Sequence, residues 1–225
     1  MRRIPIMSDV TSANDALAAA LRRELAERRI LTLNLIASPG AGKTALIEWT
    51  IKRLAGEYRI AVIEGDLTTR LDADRIIAAG APAVQINTGG GCHLEARMIC
   101  EVLAQLALDE VDILIIENVG NLVCPTGWDL GEDAKVVVAS LPEGDDKPLK
   151  YPGAFDTAEA AVINKIDLEP YLPARVERLR ANIARINPEL DVFAVSCATG
   201  AGIEAWLDWV RQRVQRKRAQ GDEAS

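Results

Sequence analysis

Ala37-Ser38-Pro39-Gly40-Ala41-Gly42-Lys43-Thr44 decides how the rest of the chain is read. An apolar run over residues 30–36 leads into it, and a helical pattern over 45–54 leads away. Strand, glycine-rich loop and helix in that order are the setting of a phosphate-binding loop. The glycines let successive backbone N–H groups turn toward phosphate oxygens, and the helix N-terminus adds partial positive charge. Ser38, Pro39, Gly40, Ala41, Gly42, Lys43, Thr44 and Ala45 form the expected phosphate-binding set. Lys43 is placed to reach the terminal phosphates, and the Thr44 hydroxyl to bind Mg²⁺. Ala37 stands where such loops usually begin with glycine. An ordinary glycine-rich turn explains the stretch less well, because glycine, lysine and threonine all fall at the required spacing.

Outward from the loop, strands alternate with helices. Strands are expected over 30–36, 59–63, 83–86, 111–117, 135–140, 160–163 and 191–195. Helices are expected over 12–29, 45–54, 72–79, about 95–108 and 173–186, with a last one after Gly202. This alternation predicts an α/β fold of P-loop NTPase type, a mainly parallel sheet with helices on both faces. In the first helix, Ser12 or Asn14 is the expected cap, and Ala16, Leu17, Ala20, Leu21 and Leu25 the apolar stripe. Residues 143–151 read as a long polar loop containing Lys147 and Lys150. The expected division is an N-terminal helix over 1–29 packed on the main domain, a nucleotide-binding domain over 30–218, and a disordered tail over 219–225.

The chain has 225 residues, long enough for one domain with a core that needs no disulfides. A net charge of -7 argues against general nucleic-acid binding. The basic run over 211–218 suits a solvated helix C-terminus. No apolar run approaches the roughly 20 residues of a membrane span. The four cysteines without a secretory signal point to a reducing, cytoplasmic setting.

Asn164-Lys165-Ile166-Asp167 follows a buried strand. An aspartate there can accept from the ring N–H and exocyclic amine of guanine, a donor pair that adenine lacks. GTP is therefore the expected nucleotide, with Asn164, Lys165 and Asp167 at the base. Ser196, Cys197 and Ala198 form either a second base-contacting loop or a plain strand-to-helix turn. Glu117 ends a buried strand and Asp66 ends a neighbouring one, so Thr44, Asp66 and Glu117 are the expected Mg²⁺ ligands. The catalytic candidates are Lys43, Asp66 and Asp72. Asp72 either orients the attacking water or caps a helix.

The chain's sole histidine is His93, beside Cys92 and after three glycines. Cys124 lies in the loop beyond the Glu117 strand, and Pro125 holds that loop extended. Both segments follow strand C-termini, so the topology can bring them together. Two thiolates and an imidazole suit Zn²⁺ or Ni²⁺ better than Mg²⁺. Three ligands leave an open position or a site shared between subunits. Cys100 and Cys197 read as packing cysteines.

Taken together, Ser38-Pro39-Gly40-Ala41-Gly42-Lys43-Thr44, Glu64-Gly65-Asp66, Gln85-Ile86-Asn87-Thr88-Gly89, Cys92-His93-Leu94, Ile116-Glu117-Asn118-Val119-Gly120-Asn121-Leu122-Val123-Cys124-Pro125, Lys150-Tyr151-Pro152 and Asn164-Lys165-Ile166-Asp167 carry a resemblance. The chain resembles, over about residues 30–205, the HypB-type nickel-incorporation GTPases of hydrogenase maturation, within the SIMIBI class. The resemblance implies GTP hydrolysis coupled to nickel delivery to a [NiFe]-hydrogenase large-subunit precursor. It implies a GTP-linked homodimer with metal at the subunit interface, held by Cys92, His93 and Cys124, and a zinc-containing partner chaperone. Such proteins often carry an N-terminal cysteine motif or histidine-rich run. Here the first cysteine is Cys92, so neither is expected, and Glu95 stands where aspartate is usual. The rival readings are a urease- or cobalamin-type accessory GTPase and a metal-buffering scaffold with vestigial GTPase activity. The urease type calls for a cysteine-proline-histidine run, which is absent.

Overall fold

The computed structural model describes residues 6–66 and 71–223. Seven strands form one parallel sheet: β1 (Leu31–Ala37), β2 (Ile60–Asp66), β3 (Ala83–Asn87), β4 (Ile113–Gly120), β5 (Ala134–Ser140), β6 (Ala160–Asn164) and β7 (Asp191–Ala194). Their order is β3-β2-β4-β1-β5-β6-β7, and every paired neighbour runs parallel. The helices are α1 (Ile6–Glu27), α2 (Lys43–Leu54), α3 (Leu71–Ala79), α4 (Ala96–Leu103), α5 (Lys147–Lys150), α6 (Pro152–Asp156), α7 (Val176–Ala184) and α8 (Ile203–Glu223).

The central strands are buried along their whole length, as a parallel sheet covered on both faces requires. The period of two divides their side chains between two cores. Leu31, Leu33, Leu35, Val136 and Val138 pack with Leu46, Ile47 and Ile51 of α2 and Trp206 and Val210 of α8. Ile36, Val137 and Ala139 pack on the other face with Phe155 of α6 and Leu179 and Ile183 of α7. A third cluster joins Ala18, Leu21 and Leu25 of α1 to Ile99 and Leu103 of α4, over Ile63, Leu114 and Ile116 of the sheet.

Several expectations are corrected. α1 begins at Ile6, so Ser12 and Asn14 lie inside it rather than at its N-terminus. Its buried stripe is Asn14, Ala18, Leu21 and Leu25, while Leu17 is exposed. Asn14 tolerates burial because both ends of its amide are hydrogen-bonded. Its Nδ2 donates to the Asp129 carbonyl at 2.8 Å, and its Oδ1 accepts from the Ala96 N–H at 2.9 Å. The segment expected as a polar loop over 143–151 instead holds α5, and α6 begins directly after it. Lys147 is mostly buried, 2.9 Å from Glu143 and over the Tyr151 ring. The helix expected over 173–186 is shorter, and a 3-10 turn, Ile166–Tyr171, precedes it. α8 continues through Glu223, so the tail boundary expected at 219 falls inside a helix. Leu207, Val210 and Val214 anchor its earlier turns, and propagation from an anchored helix is easier than nucleation. Residues 224 and 225 lie outside the described residues.

Candidate nucleotide and metal site

The C-terminal edge of the sheet, where open α/β folds bind ligands, carries every candidate residue. A cleft of about 400 Å³ opens there, lined among others by Gly42, Lys43, Thr44, Glu64, Asp66 and Glu117. Gly40 and Gly42 have φ of 74° and 102°, the left-handed values that an inward-curling loop needs. A Cβ on Gly42 would stand 2.3 Å from Asn164 Nδ2, so no larger residue fits.

Lys43 and Thr44 open α2, the position that aims an N-terminus at a phosphate. Thr44 Oγ1 donates to Glu117 Oε1 at 2.8 Å, and Lys43 Nζ is 3.9 Å from the same oxygen. Glu64 sits opposite Glu117 in the β2–β4 register. Both acids are buried, and the second carboxylate oxygen of each lacks a hydrogen-bond partner. Burial pushes Glu117 up to about 7, against the pull of Lys43 and Thr44. Burial, reinforced by the charges of Glu117, Asp66 and Asp72, pushes Glu64 up to about 8. Two acids with unmatched oxygens beside a threonine hydroxyl form an oxygen donor set that suits a hard divalent cation. Asp66 ends β2 and lines the same cleft. Asp72 also lines it, from the first turn of α3, and takes the Arg75 guanidinium at 3.0 Å. Residues 67–70, between these two acids, lie outside the described residues.

Asn164 fastens the base-side loops to the phosphate loop. Its Nδ2 donates to the Ala41 carbonyl at 2.9 Å, while Oδ1 accepts from the N–H groups of Lys165 and Cys197. Lys165 has φ 62° and sends Nζ to the Gly40 carbonyl at 2.7 Å. Ser196 Oγ donates to Asp167 Oδ1, which brings the two base-side segments together. Trp49 of α2 closes the arrangement, its Nε1 donating to the Cys197 carbonyl at 2.9 Å. Burial pushes the Cys197 thiol up to about 11, the behaviour of a packing cysteine. Cys100 packs against the α1–α4 core.

Cys92, His93 and Cys124 converge as predicted, their candidate ligand atoms all within 4.8 Å of one another. Cys92 Sγ and His93 Nδ1 are 3.5 Å apart. A hydrogen bond to the Cys124 thiol, with some burial, holds the Cys92 thiol above its ordinary range. Burial holds the His93 imidazole below its ordinary range, in the neutral form that ligates metals. A metal entering this cluster would displace the thiol proton.

The structure adds residues that the sequence reading did not single out. Asn118 is fully buried. Its Oδ1 accepts from the Leu94 N–H at 3.2 Å and the Val119 N–H at 3.0 Å, and its Nδ2 donates to Asn34 Oδ1. Asn118 follows the cleft residue Glu117, and Leu94 follows the cluster residue His93, so this side chain joins the two sites. A polar residue directly after the strand's acid was the available signal. Trp128 stacks on His93 with centroids 4.4 Å apart.

Comparison with known proteins accords with this geometry. The family described as CobW/HypB/UreG, nucleotide-binding domain, matches residues 31–194. The hydrogenase maturation factor HypB of Escherichia coli K12 is 49% identical over 209 residues, covering 93% of this chain and 72% of that protein. HypB of Azotobacter vinelandii is 49% identical over 222 residues, covering 98% and 73%. The crystal structure of HypB from Helicobacter pylori in complex with nickel superimposes with a TM-score of 0.85 at 38% identity, covering 91% of this chain and 96% of that one. HypB from Archaeoglobus fulgidus gives a TM-score of 0.85 at 39% identity, covering 90% and 99%. LAO/AO transport system kinase, at 18% identity and a TM-score of 0.56, shares the fold. The chain belongs to the CobW/HypB/UreG nucleotide-binding family and, within it, to the HypB-type hydrogenase maturation factors.

Proposed function

We propose that this protein is a GTP-hydrolysing metallochaperone that loads nickel, or zinc, at Cys92, His93 and Cys124 and assists nickel insertion into a [NiFe]-hydrogenase. The observation that carries the reading is the shared strand-loop unit: Glu117 faces the nucleotide cleft, and Cys124 follows seven residues later at the thiol–imidazole cluster.

Thr44, Asp66 and Glu117 would hold a Mg²⁺, which would supply neutralisation of the phosphate charge. Lys43 and the N–H groups of the loop bind and orient the terminal phosphates. Asp167 reads the guanine edge, with Asn164 and Lys165 fixing the loops around it. Asp72 orients the attacking water. GTP orders the end of β4 around its terminal phosphate, Asn118 carries that order to Leu94, and the Cys92–His93–Cys124 geometry tightens. Hydrolysis removes the terminal phosphate, and the metal is released.

The homodimer reading rests on the incomplete ligand set and on Val123, an apolar side chain 63% exposed beside Cys124. A second copy can supply the missing donors and cover Val123. The zinc-containing chaperone and the hydrogenase precursor are proposed as metal donor and recipient.

Phosphate release from GTP by wild type and by Lys43→Ala, each loaded with one equivalent of nickel, tests the reading. The expected result is turnover in wild type alone, with nickel leaving as GTP is consumed. Turnover that survives the substitution, or nickel that stays bound throughout, would refute it.

A further inference from the structure

We infer that Trp128 is a positioning residue for the metal cluster, and that it fixes the His93 ring so that Nδ1, not Nε2, is the ligating nitrogen. The inference rests on the reading of Cys92, His93 and Cys124 as a metal site and names the atom and the support within it.

Three contacts determine how the ring lies. Nδ1 faces Cys92 Sγ at 3.5 Å. Two donors on one tetrahedral metal, with bonds of about 2.3 Å to sulfur and about 2.05 Å to nitrogen, stand about 3.6 Å apart. The ring therefore already presents Nδ1 at the spacing a shared metal sets. Nε2 is buried without a hydrogen-bond partner. It lies 3.9 Å from Glu95 Oε1, a carboxylate close enough to take an Nε2–H after a small shift. Ligating histidines commonly direct the non-ligating N–H at a carboxylate, which fixes tautomer and orientation.

Trp128 holds the face of the ring. The indole and imidazole stack at 4.4 Å with 29° between planes. Bringing Nε2 to the metal in place of Nδ1 would require the whole ring to move, because the two nitrogens lie on different sides of it, and that movement would break this stacking. Trp128 is itself anchored from below, since Lys135 Nζ donates to the carbonyls of Thr126 at 3.0 Å and Trp128 at 3.4 Å. It follows the short 3-10 turn Cys124–Gly127 that starts with the third ligand. One segment thus supplies Cys124 and braces His93, so the two donors move together.

The single histidine makes the test unambiguous, because a ¹⁵N-labelled chain gives one pair of imidazole nitrogen signals. The chain is titrated with Zn²⁺, which is diamagnetic, and the imidazole is read by long-range proton–nitrogen correlation. The expected result is a metal-bound Nδ1 and a protonated Nε2. Trp128→Ala should weaken Zn²⁺ binding about 10-fold and give a second imidazole signal set, and Trp128→Phe should restore the single set. A metal-bound Nε2 in wild type would overturn the inference and leave the metal site standing. An imidazole unchanged by stoichiometric Zn²⁺ would overturn the underlying site reading. Unaltered affinity and signals in a folded Trp128→Ala variant would remove Trp128 from the role.

Discussion

Thr44 Oγ1 donates its hydrogen bond to Glu117 Oε1, across two elements that meet only at the cleft. The threonine comes from the phosphate-binding loop and the acid from the end of β4, so under the proposed function this bond would preassemble part of the Mg²⁺ site before nucleotide arrives. Glu117→Gln keeps the size and an acceptor but removes the charge. Its GTP turnover should fall by about 100-fold or more, with GDP binding reduced less. Steady-state phosphate release and nucleotide titration separate the two effects.

Glu64 and Glu117 also set a pH dependence. Both begin from an ordinary value of 4.5 and are raised in the folded protein, to about 8 and about 7. The folded state then binds more protons than the unfolded chain, so stability falls as pH rises. Their contribution is fully present below about 4.5 and is lost as pH climbs through 7 and 8. Nucleotide-free, metal-free protein should therefore melt at a lower temperature at pH 8.5 than at pH 6. In Glu64→Gln, which cannot ionise there, the decline should be shallower. A wild-type melting temperature that rises over this interval, or an equal slope in the variant, would contradict the assignment.

Base selection should follow Asp167. Its carboxylate accepts from Ser196 Oγ, on the segment that Asn164 also holds through the Cys197 N–H. Asp167→Asn exchanges one acceptor for a donor. GTP affinity should drop by about 10- to 100-fold, and xanthosine triphosphate, which carries a carbonyl in place of the amine, should bind better than GTP. Competition against a fluorescent guanine nucleotide measures both.

Much of the site was legible because its residue types carry chemistry at fixed spacing. Lys43 and Thr44 after the glycines, Asn164 and Asp167 after a strand, and the Cys92–His93 pair all fell where the structure places them. Asn14 was misread, since its polar character suggested a cap while its partners, Asp129 and Ala96, lie 115 and 82 residues away. Asn118 and Trp128 were not singled out for the same reason: a buried amide and an aromatic gain their roles only from neighbours brought by folding. The α5 segment was read as loop because residues 143–151 are mostly polar, yet Pro148 suits the first turn of a short helix.

Asn118 gives the most selective test of how the two sites communicate. Asn118→Ala leaves the Leu94 N–H and its other buried partners unmatched, so the fold should lose about 1–3 kcal/mol by denaturant titration. Nickel binding should survive, because Cys92, His93 and Cys124 remain, but the effect of nucleotide on it should shrink. A variant with wild-type nucleotide dependence would remove Asn118 from the coupling path.

The most direct measurement is nickel affinity and stoichiometry, by competition with a chromogenic chelator, in three states: nucleotide-free, with Mg²⁺ and GDP, and with Mg²⁺ and a non-hydrolysable GTP analogue. A strand-loop unit that joins Glu117 to Cys124 predicts that the GTP-analogue and GDP states differ by about fivefold or more in affinity, with the tighter site in the triphosphate state. Identical affinity and stoichiometry in all three states would contradict nucleotide control of the metal.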